Sequence, residues 1–111
     1  MLTKSKRLST ALFSDIIEKG QSFHNPFLII KVKKTDKISR FAVSVPKKVA
    51  KTAVLRNKIK KKIYSIIKNF EKKIILGFNV IFIAKIGVDK LKFTDLSNEI
   101  DKIFVKIGIL K

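Results

Sequence analysis

The sequence predicts an α+β fold, a mixed sheet with helices packed on it. Three patterns predict it. Ile59, Ile63, Ile66, Ile67 and Phe70 recur at i, i+4, i+7, i+8 and i+11, the spacing of a long helix with one apolar face. Asn79 to Ala84 (NVIFIA) is a near-continuous apolar run, as expected of a strand buried on both sides. Phe41 to Val45 (FAVSV) alternates with period two, which places Phe41, Val43 and Val45 on one face of a second strand. The chain has 111 residues, one domain by size, and no repeat or low-complexity linker divides it, so residues 1–111 read as a single domain.

Taken in order, Ser9 or Thr10 can cap a first helix that runs to about Lys19. Its apolar residues are Leu12, Phe13, Ile16 and Ile17, and Gly20 fits just past its end. After Asn25-Pro26, Phe27 to Val32 reads as a strand, and Lys33 to Lys37 as a polar turn. The simplest pairing of this strand with Phe41–Val45 is a hairpin. Pro46 stops the second strand, and a loop with Lys47, Lys48 and Lys51 leads into a helix from about Ala53 to Phe70. The five apolar residues of that helix fall within about 100° of arc. Asn57, Lys61, Tyr64, Ser65 and Lys68 lie opposite, and Lys60 and Lys62 flank the stripe. Arg56 has an azimuth inside the apolar arc, at the first turn, where its side chain can pass the edge of the core. Gly87, Val88 and Asp89 form a turn after the NVIFIA strand. The last helix starts near Thr94 or Asp95, with Leu96, Ile100, Ile103, Phe104 and Ile107 on one face. The order is α-β-β-α-β-α, with room for one more short strand between residues 21 and 45.

Lys and Arg number 26 against 8 Asp and Glu, a formal net charge of +18, while 46% of the residues are hydrophobic. A disordered basic tail would lack such core-forming side chains. A fold this basic expects a polyanion, either nucleic acid or an anionic membrane. With no Cys there is no disulfide, thiol nucleophile or Cys-based metal site, and His24 stands alone. Neither a Gly-rich phosphate loop nor a Ser/His/Asp set is present. Asp95 and Glu99 could share a helix face, but beside Lys102 they read as ordinary helix surface. No catalytic side chain, protein-held metal or small-molecule substrate is therefore expected. Met1 to Arg7 is charged with no apolar segment behind it, so no signal peptide is expected. The least charged run, Ile74 to Ala84, is far shorter than the ~20 residues that span a bilayer. A cytoplasmic setting is the expectation.

The charge is concentrated. Between Pro46 and Lys73, ten lysines and Arg56 stand against one acid, Glu71, which puts +10 of the +18 into 28 residues. A solvated helix face normally interleaves Glu at i,i+4, and here those carboxylates are missing. Helix-borne charge with a lysine loop ahead of it suits a phosphate backbone such as an RNA helix read by shape. A membrane-surface helix would border its lysines with Trp, Phe or Leu, whereas this apolar stripe is largely Ile and is used as core. Arg7, Arg40 and Arg56 are the three arginines. Each points to geometry more strongly than a lysine does, because only a guanidinium offers a planar bidentate fork.

Val45-Pro46-Lys47-Lys48-Val49, followed by Ala53-Val54-Leu55-Arg56-Asn57-Lys58-Ile59-Lys60-Lys61, resembles the bacterial ribonuclease P protein component. The family signature is a V-S-K-K strand end before an A-V-x-R-N-R-x-K-R helix start. Arg7-Leu8, Phe13 and Gly20 match the family's opening pattern, and length and element order agree along essentially the whole chain. Pro46 replaces the usual Ser, and Lys58 and Lys61 replace Arg, keeping charge without the fork. Tyr64 stands where Arg is common; it could stack on a base or ribose, or shield the helix.

The resemblance implies a four-stranded mixed sheet packed with three helices, like the second domain of ribosomal protein S5. It also implies a left-handed βαβ crossover, an exception to the usual hand. The implied activity is that of a protein subunit to a catalytic RNA, which removes the 5′ leader of precursor tRNA with RNA-bound Mg²⁺. Arg56, Asn57, Lys58, Lys60 and Lys61 are then expected on the catalytic RNA. Lys47, Lys48 and Lys51 extend that footprint, joined by Arg7 with Lys4 and Lys6 at the basic amino terminus. Asn57, near a helix start, is also a candidate cap. Phe13, Phe27 and Lys31 are expected to line a leader cleft, where unpaired bases stack on aromatic rings, although Phe is equally a core residue. The alternative is a ribosomal or RNA-chaperone protein of similar fold, which binds RNA without stimulating this cleavage.

Overall fold

The first helix, α1 (Thr10–Lys19), begins where the Ser9 side chain accepts a hydrogen bond from the Leu12 amide at 3.3 Å. It stops at Gly20, which has ordinary extended angles (φ −71°, ψ 152°). The glycine is required there by proximity, not by a left-handed turn. A Cβ at residue 20 would lie 2.5 Å from the Ile16 carbonyl oxygen and 3.2 Å from that of Val32. The following elements are β1 (Gln21–His24), β2 (Leu28–Lys34), β3 (Arg40–Ser44), α2 (Ala53–Asn69), β4 (Phe78–Ala84) and α3 (Phe93–Ile107). These come from a computed structural model that describes residues 8–36, 38–74 and 77–110. Arg7, Lys4 and Lys6 lie outside the described residues.

β1 is the short extra strand for which the sequence leaves room. The hairpin between β2 and β3 does not form. The sheet order is β1-β2-β4-β3, with β4 antiparallel to β2 and parallel to β3. The physical reason lies in β4 itself. Both of its faces are apolar, so it gains most at the centre of the sheet, where both are covered. The parallel β3–β4 pairing needs a crossover connection, and α2 supplies it.

Alternation divides the sheet into two faces. Leu28, Ile30 and Val32 of β2, Phe41 and Val43 of β3, and Val80 and Phe82 of β4 form the main core with α2 and α3. From α2 come Ile59, Ile63, Ile66 and Ile67, and from α3 Leu96, Ile100, Ile103 and Phe104. Phe104 is fully buried and meets the rings of Phe41, Phe70 and Phe82 edge-on, at centroid distances of 6.3, 5.5 and 5.9 Å. On the opposite face Ile16 of α1 packs with Ala42 and Ile81, and Leu8, Phe13 and Ile83 border them. Ala42 is the residue of β3 that meets Ile16 there. Helix α3 ends as a helix with a glycine after it should, with Gly108 left-handed at φ 81°.

Candidate nucleic-acid interface

Helix α2 starts at Thr52, whose hydroxyl accepts from the Leu55 amide at 3.2 Å. Thr52 is the cap, so Asn57 is free of that duty and stands exposed one turn further on. Lys47, Lys48 and Lys51 in the preceding loop are exposed, as are Lys58, Lys61 and Lys68 along the helix, while Lys60 is half-buried. The structure therefore brings together nearly all of the sequence-selected cations on one continuous loop-and-helix surface. Leu55, Lys58, Ile59, Lys61 and Ser65 line a groove of about 380 Å³ on it, between α2 and the turn at Asp89. Lys62 also lines it, and its Nζ donates to the Leu91 carbonyl at 2.7 Å.

Two residues of this surface do more than the sequence suggests. Arg56 folds back, its Nη1 donating to the carbonyl oxygens of Ala50 and Lys51, both at 3.0 Å. It thereby fastens the lysine loop to the helix. Periodicity places Tyr64 on the polar side of α2; it is instead 9% exposed. Its hydroxyl accepts a hydrogen bond from the Val43 amide at 3.2 Å. β3 is an edge strand, and an edge N–H without a strand partner needs another acceptor. The side of α2 that looks toward that edge is thus covered, which an argument from one helix alone could not show.

The α1 face of the sheet carries a second set of candidates. Phe13 is half-buried against the smaller core, and Lys31 points to the same side of β2, its Nζ 2.6 Å from Ser22 Oγ. Phe27 does not join them: it packs against the main core. Lys33 reaches Asp15 of α1 at 2.5 Å, with Lys19 at 3.4 Å from the same carboxylate. The Lys33 hydrogen bond holds the Asp15 carboxyl below its usual range; partial desolvation works against this and Lys19 with it. Further along the face Pro26, Ile29, Pro46, Ile83 and Ile86 line a groove of about 390 Å³, rimmed by Lys48 and Lys85. Sequence reasoning missed this apolar floor. The available signal was Ile86, a large apolar residue in a turn, which is 69% exposed.

The fold and these surfaces define an α+β domain that presents a long cationic helix and its loop beside an open sheet face. A family model described as Ribonuclease P matches residues 2–108, and the chain belongs to that family. It is 31% identical over 99 residues to the ribonuclease P protein component of Clostridioides difficile, a match covering 87% of this chain and 86% of that protein. The solved RNase P protein of Staphylococcus aureus matches it with a TM-score of 0.85 and 27% identity, over 97% of this chain and 100% of that one. The RNase P protein of Thermotoga maritima, at 22% identity, shares the fold with a TM-score of 0.78 over 87% of this chain and 93% of that one.

Proposed function

We propose that this chain is the protein subunit of ribonuclease P. In this reading it binds the catalytic RNA through α2 and the loop before it. It receives the single-stranded 5′ leader of precursor tRNA on the α1 face of the sheet. The observation that carries the reading is the joined surface of Lys47, Lys48, Lys51, Asn57, Lys58 and Lys61, fastened by Arg56, in a member of this family. Lysines on a rigid, regularly curved support neutralise phosphates and position the RNA, and their contribution weakens with salt through counterion release.

Bond cleavage belongs to the RNA in this proposal. Among the described residues no three His, Cys, Asp or Glu side chains come together in a group that could hold a metal ion. In this reading Mg²⁺ is held by the RNA, and no step is routed through a protein-held ion. The leader would lie over Phe13, Ile29 and Ile83, with Lys31, Lys48 and Lys85 near its phosphates; apolar platforms beside cations are how unpaired strands are held. Among the described residues no helix is long and apolar enough to cross a membrane. A cytoplasmic setting is proposed with the rest.

Reconstitution with a bacterial ribonuclease P RNA tests the reading. At low Mg²⁺ the protein should increase cleavage of precursor tRNA at the mature 5′ end. RNA binding with no gain in cleavage would instead place the chain among RNA-binding proteins without a nuclease-cofactor role.

A further inference from the structure

A pocket of about 240 Å³ lies between the first turn of α1, the turn after β2 and the starts of β3 and β4. Leu12 and Ile38 give it apolar walls, and Asp36, Arg40 and Asn79 give it polar ones. Arg40 and Asn79 are register partners in the parallel β3–β4 ladder. They alternate with Phe41 and Val80 of the main core, so both face the α1 side. Asn79 is 6% exposed, and its Oδ1 has no hydrogen-bond partner among the described residues. The Nε of Arg40 is buried and likewise unpartnered among them. Buried polar groups are nearly always paired, because leaving one unpaired forfeits its hydration without return. Here a buried donor and a buried acceptor, neither with a partner among the described residues, belong to two side chains that line the same small pocket.

The combination selects the ligand. A phosphate would set its oxygens against the Asp36 carboxylate and the Asn79 carbonyl oxygen. A metal ion would meet the Arg40 guanidinium. A neutral planar group with acceptors on one edge and donors on the next satisfies all three side chains, and that describes a nucleobase. Guanine matches best: O6 and N7 accept from a guanidinium, while N1–H and the N2 amino group donate to a carboxylate and a carbonyl. We propose that this pocket binds one unpaired guanine of the RNA, with Arg40 donating and Asn79 and Asp36 accepting. The pocket is separate from the lysine surface of α2, and it adds base choice where that surface supplies charge. The inference rests on the reading of the chain as an RNA-binding subunit, but its test does not depend on cleavage.

Fluorescence anisotropy with the full chain compares a uridine octamer with octamers carrying a single central G, A or C. One G should tighten binding about fivefold or more, the discrimination a good bidentate base contact provides, and A or C should not. Arg40→Lys, which keeps the charge and loses the fork, should bring the G-to-U ratio close to one, and so should Asp36→Asn on the exposed turn. As a second measurement, the Arg40 Nε–H and Asn79 side-chain amide NMR signals should move with GMP and stay still with UMP or inorganic phosphate. Equal affinities for all four octamers, or the same shifts with phosphate as with GMP, would overturn the proposal. If the octamers bind equally while reconstituted cleavage is stimulated, the pocket assignment fails and the subunit reading stands. If guanine is preferred while cleavage is not stimulated, the pocket assignment stands and the subunit reading fails.

Discussion

Arg56 Nη1 donates to the carbonyl oxygen of Ala50 at 3.0 Å and to that of Lys51 at the same distance. The only arginine of the basic segment is thus a clasp between the loop bearing Lys47, Lys48 and Lys51 and the helix bearing Lys58 and Lys61. A guanidinium has further donors, so one side chain can hold the loop and still meet a phosphate. Arg56→Lys keeps the charge and loses the clasp: affinity for the RNA subunit should fall while the log–log salt slope stays. Arg56→Ala loses both, and its slope should drop by a further ~0.7–0.9, the value of one phosphate contact. Equal slopes in all three proteins would mean that Arg56 acts on the loop alone. Cleavage at saturating protein should survive in both variants, since no protein side chain is assigned as acid or base.

Tyr64→Phe isolates the contact between the basic helix and the sheet edge. The ring stays, the hydroxyl goes, and the buried Val43 amide loses this acceptor. The expected cost is about 1–3 kcal/mol, read as a lower urea midpoint with an unchanged m value. RNA affinity of the folded variant should match that of the parent, because a ring this buried offers no face to a base. A selective loss of RNA affinity at equal stability would return Tyr64 to the interface.

How far the sequence could be read depended on whether the deciding partner lay nearby in the chain. Helix periodicity found α1 and α2 nearly to the residue and the start of α3 within two, since each apolar stripe reports its own burial. The Thr52 cap and the clasp of Arg56 on Ala50 span six residues or fewer, yet periodicity showed only that Arg56 could pass the core's edge. Pairing was less legible: FLIIKV and FAVSV are close in sequence, and nothing in either reveals that β4 comes between them. Tyr64 and Val43, Phe27 and the main core, and Arg40 and Asn79 are likewise joined only by the fold. The family resemblance supplied the four-stranded sheet, where periodicity alone reaches three strands and a gap.

Acid should weaken the tie between α1 and the sheet. The folded-state pKa of Asp15 is lowered, chiefly by the Lys33 hydrogen bond, so the unfolded chain binds the proton more readily. The pair therefore stabilises the fold at pH values above the ordinary aspartate range near ~3.9, and this is lost as pH falls through the lower folded value. The stability difference between the parent and Asp15→Asn should be positive at pH 7, shrink below about pH 4 and diminish with added salt, since Lys33 and Lys19 are partly exposed. A difference that does not change with pH would show that the carboxylate is unpaired in solution.

The basic segment itself predicts a dependence on anions. Of its +10 over 28 residues, +9 is carried on α2 and the loop before it, so folding draws like charges together that the extended chain keeps apart. An anion that binds only the folded arrangement stabilises it by RT ln(1 + [L]/Kd), about 2.7 kcal/mol at a hundredfold excess over Kd. Sulfate should raise Tm more than sodium chloride at matched ionic strength, which separates binding from screening. Replacing Lys58 and Lys61 together with Gln should reduce the sulfate increment while raising the sulfate-free Tm, because the repulsion and the anion contacts arise from the same side chains. An equal shift with both salts would reduce the effect to screening alone, and would assign the charge to encounter with RNA rather than to a built phosphate site.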